Sequence, residues 1–189
     1  MVQYKLLAGL LATSLLTINW RISNTRTVTF NVPGSANPDV ILNSLHDQVG
    51  FIRLNPVITS INHLPTDPAE NDDEWFSAAE SDHPVETYIL TSTIIVIPGI
   101  GPWGERKIEF ATTLRNTKTG VKTKADAPFG VSVRSHWNIL RDDLDSWDLT
   151  VERTIECVWW VLPFVAYTYD DVHARVSREL ITAAGGTIA

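Results

Sequence analysis

The chain has 189 residues, 15 Lys and Arg against 22 Asp and Glu for a net charge of −7, and 44% hydrophobic residues. That is the size and balance of a single globular domain, and the acidic excess argues against a nucleic-acid partner, whose phosphates call for Lys and Arg. The lone cysteine, Cys157, excludes an intrachain disulfide and a multi-thiolate zinc site.

The first twenty residues stand apart. Leu6 to Ile18 is an apolar run without a charge, preceded by Lys5. It is shorter than the roughly 20 residues of a membrane span, and no small-x-small cleavage site follows it. Residues 1–20 therefore read as an uncleaved signal anchor or membrane-associating helix, with a cleaved signal peptide or a helix packed on the domain as alternatives. Membrane association would run through residues 6–20. This reading places the chain at an endomembrane or in the cytoplasm rather than outside the cell, and leaves residues 21–189 as one domain.

Arg26 to Val32 alternates, with Val28, Phe30 and Val32 on one face, as a half-buried strand should. Asn37, Pro38 and Asp39 then open a helix with a capping side chain, a proline at the first helical position and an acid in the first turn. Ile41, Leu42, Leu45 and Val49 give it an apolar face. Gly50 is expected to end it, and Phe51 to Asn55 to form a second short helical piece before Pro56.

Val57 to Leu64 reads as the next strand. The stretch from Asp67 to Glu86 follows, carrying eight acids and no Lys or Arg; removing those eight from 22 leaves 14 acids against 15 bases. It reads as a solvated loop. The spacing and turn glycine of a calcium loop are absent, so no metal site is expected in it. Trp75 and Phe76 within it predict that its middle folds back onto apolar surface, as a lid over a pocket would.

Further strands are expected over Val85 to Ile97, Lys107 to Leu114, Val121 to Ala125, Val131 to Leu140 and Leu149 to Val158. Their short connections, Asn116 to Gly120 and Ala127 to Gly130, suit an antiparallel meander and leave no room for crossover helices. The period then changes: Leu162, Val165, Tyr169, Val172, Val176, Leu180 and Ala183 recur at threes and fours as one long helix, with Pro163 in its first turn and Gly185–Gly186 at its end.

Alternation assigns the inner faces. Leu149, Val151, Arg153, Ile155 and Cys157 share one face of the last strand, and Val131, Val133, Ser135, Trp137 and Ile139 that of the strand before it. Tyr88, Leu90, Ser92 and Ile94 do so on the longest. Arg153 thus falls on an apolar face, where an unpaired charge is costly; it pairs with an acid at the sheet rim or snorkels out, or else it contacts a ligand. Trp137 is core packing or a stacking platform, and the Tyr169 hydroxyl serves a ligand or a backbone carbonyl. His173 lies at the margin of the helical stripe, as a surface or a cavity residue. Trp103, in a Pro- and Gly-rich turn, plugs a cavity mouth or anchors a hairpin. Cys157 reads as a small buried hydrophobe.

The order strand, two short helices, six strands and a long C-terminal helix resembles the α+β helix-grip fold of the START-like and polyketide-cyclase superfamily (SRPBCC). In that fold a curved antiparallel sheet, here of about seven strands, wraps a long C-terminal helix. More narrowly the chain resembles an uncharacterised fungal branch of that superfamily. The resemblance is carried by RTVTFNVP, by LHDQVGFIRLNPVI (Leu45 to Ile58), by Ala127-Pro128-Phe129-Gly130 leading into VSVRSHW, and by VERTIECVWWVLPFVAYTYDDVHARV. It implies a cavity between sheet and helix that takes lipids, sterols, terpenoids or polyketides, and it transfers no shared catalytic set.

The sequence holds no Gly-x-Ser-x-Gly elbow, phosphate loop or His-Glu-x-x-His run, so no cofactor and no metal are expected. The chemistry left is what a shaped pocket does by itself. The leading expectation is a cofactor-independent cyclase or pericyclase of Diels–Alder type, acting on a terpenoid or polyketide intermediate of fungal secondary metabolism. Arg153 and Tyr169 would be its catalytic hydrogen-bond donors, with Tyr88, Trp103, Ser135, Trp137, Trp75 and His173 binding the ligand. The alternative is a non-catalytic carrier of a lipid, sterol or terpenoid. A third reading fills the cavity with the protein's own side chains.

Overall fold

The computed structural model describes residues 20–76, 83–95, 105–142 and 146–187. Among them seven strands, β1 (Arg21–Val32), β2 (Ile58–Leu64), β3 (Val85–Ile95), β4 (Glu105–Thr117), β5 (Gly120–Ala127), β6 (Val131–Arg141) and β7 (Trp147–Val158), form one antiparallel sheet in the order β1-β7-β6-β5-β4-β3-β2. The helices α1 (Pro38–His46) and α2 (Gln48–Arg53) carry the chain from the β1 edge to the β2 edge. From there β2 to β7 meander back to β1, and the 22-residue α4 (Leu162–Ala183) closes over the sheet.

Local chemistry fixes the crossover. The Asn37 side chain accepts from the Asp39 N–H, capping α1 beside Pro38, and the Asn37 N–H donates to the Ala184 carbonyl at 2.9 Å, tying the start of α1 to the end of α4. The helix expected to run to Gly50 instead breaks at Asp47, whose carboxylate accepts from the Gly50 N–H at 3.0 Å and so caps α2. Gly50 is therefore inside α2 rather than at an end. A Cβ there would stand 2.3 Å from the Asp47 Oδ2, so the missing side chain is what lets the cap form.

Two apolar clusters hold the sheet to the helices. The larger joins Ile41, Leu45 and Phe51 of α1 and α2 to Trp137, Leu149 and the C-terminal half of α4. The smaller, around Val131, Ile155 and Cys157, packs under Val161, Leu162 and Val165 at the N-terminal half of α4. One cross-strand row on the inner face is polar: in register, Arg26 pairs with Arg153, Arg153 with Ser135, and Ser135 with Thr123. This row meets α4 at Tyr169 and Asp170.

The acidic stretch lies against the other face. A short helix α3 (Pro68–Asn71) and a single 3₁₀ turn (Glu74–Phe76) place Glu70 and Asp73 on Lys124, at 3.1 and 2.7 Å. Burial alone would raise the Asp73 carboxyl, but Lys124 and the Trp75 N–H overcome it and hold it low. Phe76 is fully buried, its carbonyl accepting from the Arg115 guanidinium. Trp75 donates from Nε1 to the Thr123 carbonyl at 3.2 Å, with the Lys122 ammonium 5.3 Å from its ring. The fold-back expected of this stretch is present, but Trp75 is no lid: on the face of β5 turned away from α4, Lys124 holds the Glu70 and Asp73 carboxylates and Lys122 lies over the Trp75 ring. Residues 77–82 of the stretch, the apolar run before Trp20, and Trp103 lie outside the described residues.

Candidate functional site

Beside the polar cross-strand row α4 stands clear of the inner face of the sheet, and a cavity of about 710 Å³ opens. That is within the roughly 300–1,000 Å³ of small-molecule sites. The inner faces of β3 to β6 form one wall, through residues such as Leu90, Phe110, Ala125 and Val133; Phe51 and Ile52 of α2 close an end, and α4 lies across the top. Its mouth is aromatic. Phe129, Trp160 and Phe164 line it and are 79%, 50% and 45% exposed. Phe129 has φ 64° and Gly130 φ 67°, a left-handed pair that costs a bulky side chain strain and turns the Phe129 ring outward at the rim.

No Asp, Glu, Lys or Arg is among the described residues that line the cavity; its polar groups include Ser92, Thr112, Thr123, Tyr169 and His173. Tyr169 and His173, four apart on α4, stack with centroids 3.5 Å apart and planes 13° apart. The Trp137 ring lies 5.1 Å beyond His173, and Phe51 meets Trp137 edge-on at 5.1 Å. On the other side of the stack the Arg153 guanidinium carbon is 5.9 Å from the Tyr169 ring.

Burial sets the protonation states. Desolvation pushes the His173 imidazole down to about 4, outweighing the bond to the Tyr169 carbonyl and the nearby Asp170, which pull upward. It is neutral at physiological pH. Its Nδ1 lies 2.7 Å from the Tyr169 carbonyl oxygen; a carbonyl only accepts, so Nδ1 carries the hydrogen and Nε2 a lone pair. Burial raises the Tyr169 phenol, although Ser135 and Arg153 pull the other way. Both ionisable groups at the cavity are thus uncharged.

The residues singled out from sequence separate into groups. Tyr169, His173 and Trp137 line the cavity together. Ser135 is buried just behind them, its hydroxyl 2.7 Å from that of Thr123, which lines the wall. Tyr88 is buried but donates its hydroxyl to Gln48 Oε1 at 3.2 Å, joining β3 to α2, and is not among the lining residues. Trp75 is on the opposite face, as above.

Arg153, expected from sequence as a donor to substrate, is also not among the lining residues. Its Nε and Nη2 hold Asp170 in a fork at 2.8 and 3.0 Å, and its Nη1 donates to Asn24 Oδ1 at 2.7 Å. Of the readings open from sequence, the paired one holds, with the acid supplied by α4 rather than by the sheet rim. Arg26 adds a second contact to Asp170 at 2.6 Å. Burial would raise the Asp170 carboxyl, but the two guanidiniums overcome it and keep it below the usual range.

Sequence reasoning missed the rim residues Phe129, Trp160 and Phe164 and the wall residue Thr123. Thr123 sits in strict alternation with Val121 and Ala125, a signal that was available. Nothing in the pattern marks Phe129 as exposed.

Residues 21–185 match the family described as a domain of unknown function, DUF7053, and the chain belongs to that family. No curated protein matches the sequence. Among solved structures the chain is similar to the di-domain ARO/CYC StfQ from the steffimycin biosynthetic pathway, at 11% identity, TM-score 0.57, and coverage of 86% of this chain and 51% of that one. It thus spans about half of that protein. It is similar to the Zhui aromatase/cyclase from Streptomyces sp. R1128, at 10% identity, 88% and 94% coverage and TM-score 0.56. A START superfamily protein from Mycobacterium smegmatis matches at 15% identity, 87% and 97% coverage and TM-score 0.51. At these identities the likeness is one of fold, and that fold is the helix grip of the START-like and polyketide-cyclase superfamily.

Proposed function

We propose that this member of the DUF7053 family binds an uncharged, apolar small molecule in the cavity between the sheet and α4. The observation that carries the reading is a space of about 710 Å³ whose described walls hold no charged side chain. Desolvating an ion there would cost several kcal/mol without a partner, whereas apolar surface gains about 25 cal/mol per Å² buried. A lipid, sterol, terpenoid or polyketide of neutral form fits.

Carriage of such a molecule takes precedence over catalysis, because Arg153, the stronger of the two expected donors, is committed to Asp170 and Asn24. A cyclase or pericyclase remains the second reading, favoured by Tyr169 and His173 facing the cavity side by side. In a Diels–Alder step two carbon–carbon σ bonds form as two π bonds are consumed and no atom is gained or lost. The walls would supply orientation, and the Tyr169 hydroxyl would donate to a carbonyl on the reacting alkene. A terpenoid or polyketide intermediate of fungal secondary metabolism is the substrate this reading implies.

Delivery follows from the rim. The Trp159 N–H donates to the Trp20 carbonyl at 3.0 Å, so the first described residue, Trp20, lies beside Trp159. In this proposal the apolar run of residues 6–18 holds the aromatic mouth against a membrane, where indole rings favour the interface; no helix among the described residues is long and apolar enough to cross one. Flotation of the full chain with phosphatidylcholine vesicles tests this, and a protein that stays at the bottom of the gradient contradicts it.

Native mass spectrometry of the purified full chain, followed by denaturing extraction, tests the main reading. Retention of a neutral apolar compound is expected. Conversion of a retained linear precursor into a cyclised isomer would transfer the assignment to the second reading, and a charged ligand would contradict both.

A further inference from the structure

Resting on the cavity as a binding site, we infer that it selects a ligand with a hydroxyl group, which donates its hydrogen to His173 Nε2. The hydrogen on Nδ1 is committed to the Tyr169 carbonyl one turn back along α4. Nε2, at the far end of the ring, therefore presents a lone pair and nothing else. His173 is half-buried and lines the cavity, and Nε2 is not among the fully buried unpartnered side-chain atoms.

Among the other described lining side chains, the Trp137 indole N–H also lacks a partner, but it is a donor and has no surface open to the cavity. Hydroxyl groups both donate and accept, so they adapt to either polarity. Thr112 is committed to the Lys124 carbonyl at 3.2 Å, and Thr123 to Ser135. Among the described lining side chains the imidazole alone is an acceptor without a hydrogen to offer, and its ring is fixed in place between Tyr169 and Trp137. A carbonyl or ether oxygen brought to the same place would set two lone pairs against each other. A carboxylate would add a charge in a wall where no described lining residue carries a cation.

The matched pair cholestanol and cholestan-3-one, with palmitate as the charged probe, separates these cases. Each is titrated into the full chain and into H173F at pH 7.4, following tryptophan fluorescence. The wild type is expected to bind the alcohol roughly tenfold more tightly than the ketone, the size of one buried hydrogen bond, and palmitate more weakly still. H173F is expected to weaken the alcohol by about the same factor and leave the ketone within about twofold.

Equal wild-type affinities for alcohol and ketone would overturn the inference while leaving the cavity reading intact. So would an equal loss of both steroids in H173F, whereas tight palmitate binding would overturn the inference together with the uncharged-ligand reading. Absence of binding by all three probes would overturn the cavity reading and this inference with it. The comparison of ligands on the wild type needs no variant to fold.

Discussion

His173 and Arg153 face each other across Tyr169 and show opposite solutions to burying a basic group. His173 gives up its charge: desolvation takes it to about 4, against about 6.5 in an unfolded chain. Between those values the unfolded state holds the proton and the folded state does not, so stability is complete above pH 6.5 and is lost as the pH falls towards 4. The loss is on the order of 3 kcal/mol. Urea midpoints measured from pH 7 to 4 should fall accordingly, and H173F should lack that part of the decline; an identical decline in both proteins contradicts the assignment.

Arg153 keeps its charge and recruits partners, Asp170 in a fork and Asn24 at its remaining nitrogen. Arg153→Met leaves Asp170 with Arg26 alone and should cost about 3 kcal/mol in urea unfolding, with affinity for an apolar ligand little changed. A variant of full stability that has lost binding would restore Arg153 to the site. Alternation placed Arg153 on the inner face correctly, but it carries no information about which helix residue lies opposite. Asp170, next to Tyr169, becomes its partner only once α4 is docked on the sheet.

Elements with a face to bury were legible from their pattern: α4 from its stripe, and β6 and β7 from alternation. Their extents were less so, because a backbone ladder needs no apolar side chains. Thus β1 begins at Arg21 rather than Arg26, its polar Ser23, Asn24 and Thr25 paired along β7 as the ladder runs to Arg21 opposite Val158. The break between α1 and α2 was misplaced because a side-chain cap, Asp47 on Gly50, decided it.

Close approach governs the turn into β5. A Cβ on Gly120 would stand 1.8 Å from the Trp137 carbonyl oxygen, so the two strands can pair there only over a glycine. Gly120→Ala should lower stability by about 2 kcal/mol through forced displacement of β6, and because Trp137 lines the cavity, ligand affinity should fall with it. Unaltered urea unfolding of that variant would show that β5 and β6 pair less closely than described.

For the molecule as a whole, the order of elements carried the architecture: a meander too tightly connected for crossovers, followed by one long helix, leaves few ways to bury the helix except inside the curve of the sheet. The cavity was implied only by resemblance. Whether facing side chains meet or leave a gap depends on curvature and on where each cluster ends, and the sequence of 189 residues does not encode those distances in any local pattern. The acidic stretch shows the same limit. Its fold-back was signalled by Trp75 and Phe76, but the face it covers was set by Lys122 and Lys124 on a strand nearly fifty residues later.

The central claim is that the space between sheet and α4 is a binding site rather than a packing gap. Ala125 lines its wall, and Ala125→Trp fills part of the space without removing a polar group. Titration of the uncharged dye Nile red into the full chain and into this variant, with urea unfolding of both as the control, tests the claim most directly. The account predicts saturable binding to the wild type, weakened at least roughly tenfold in a variant of undiminished stability, as expected when a cavity is blocked rather than a fold lost. Equal binding to both proteins, or none to the wild type, would contradict it.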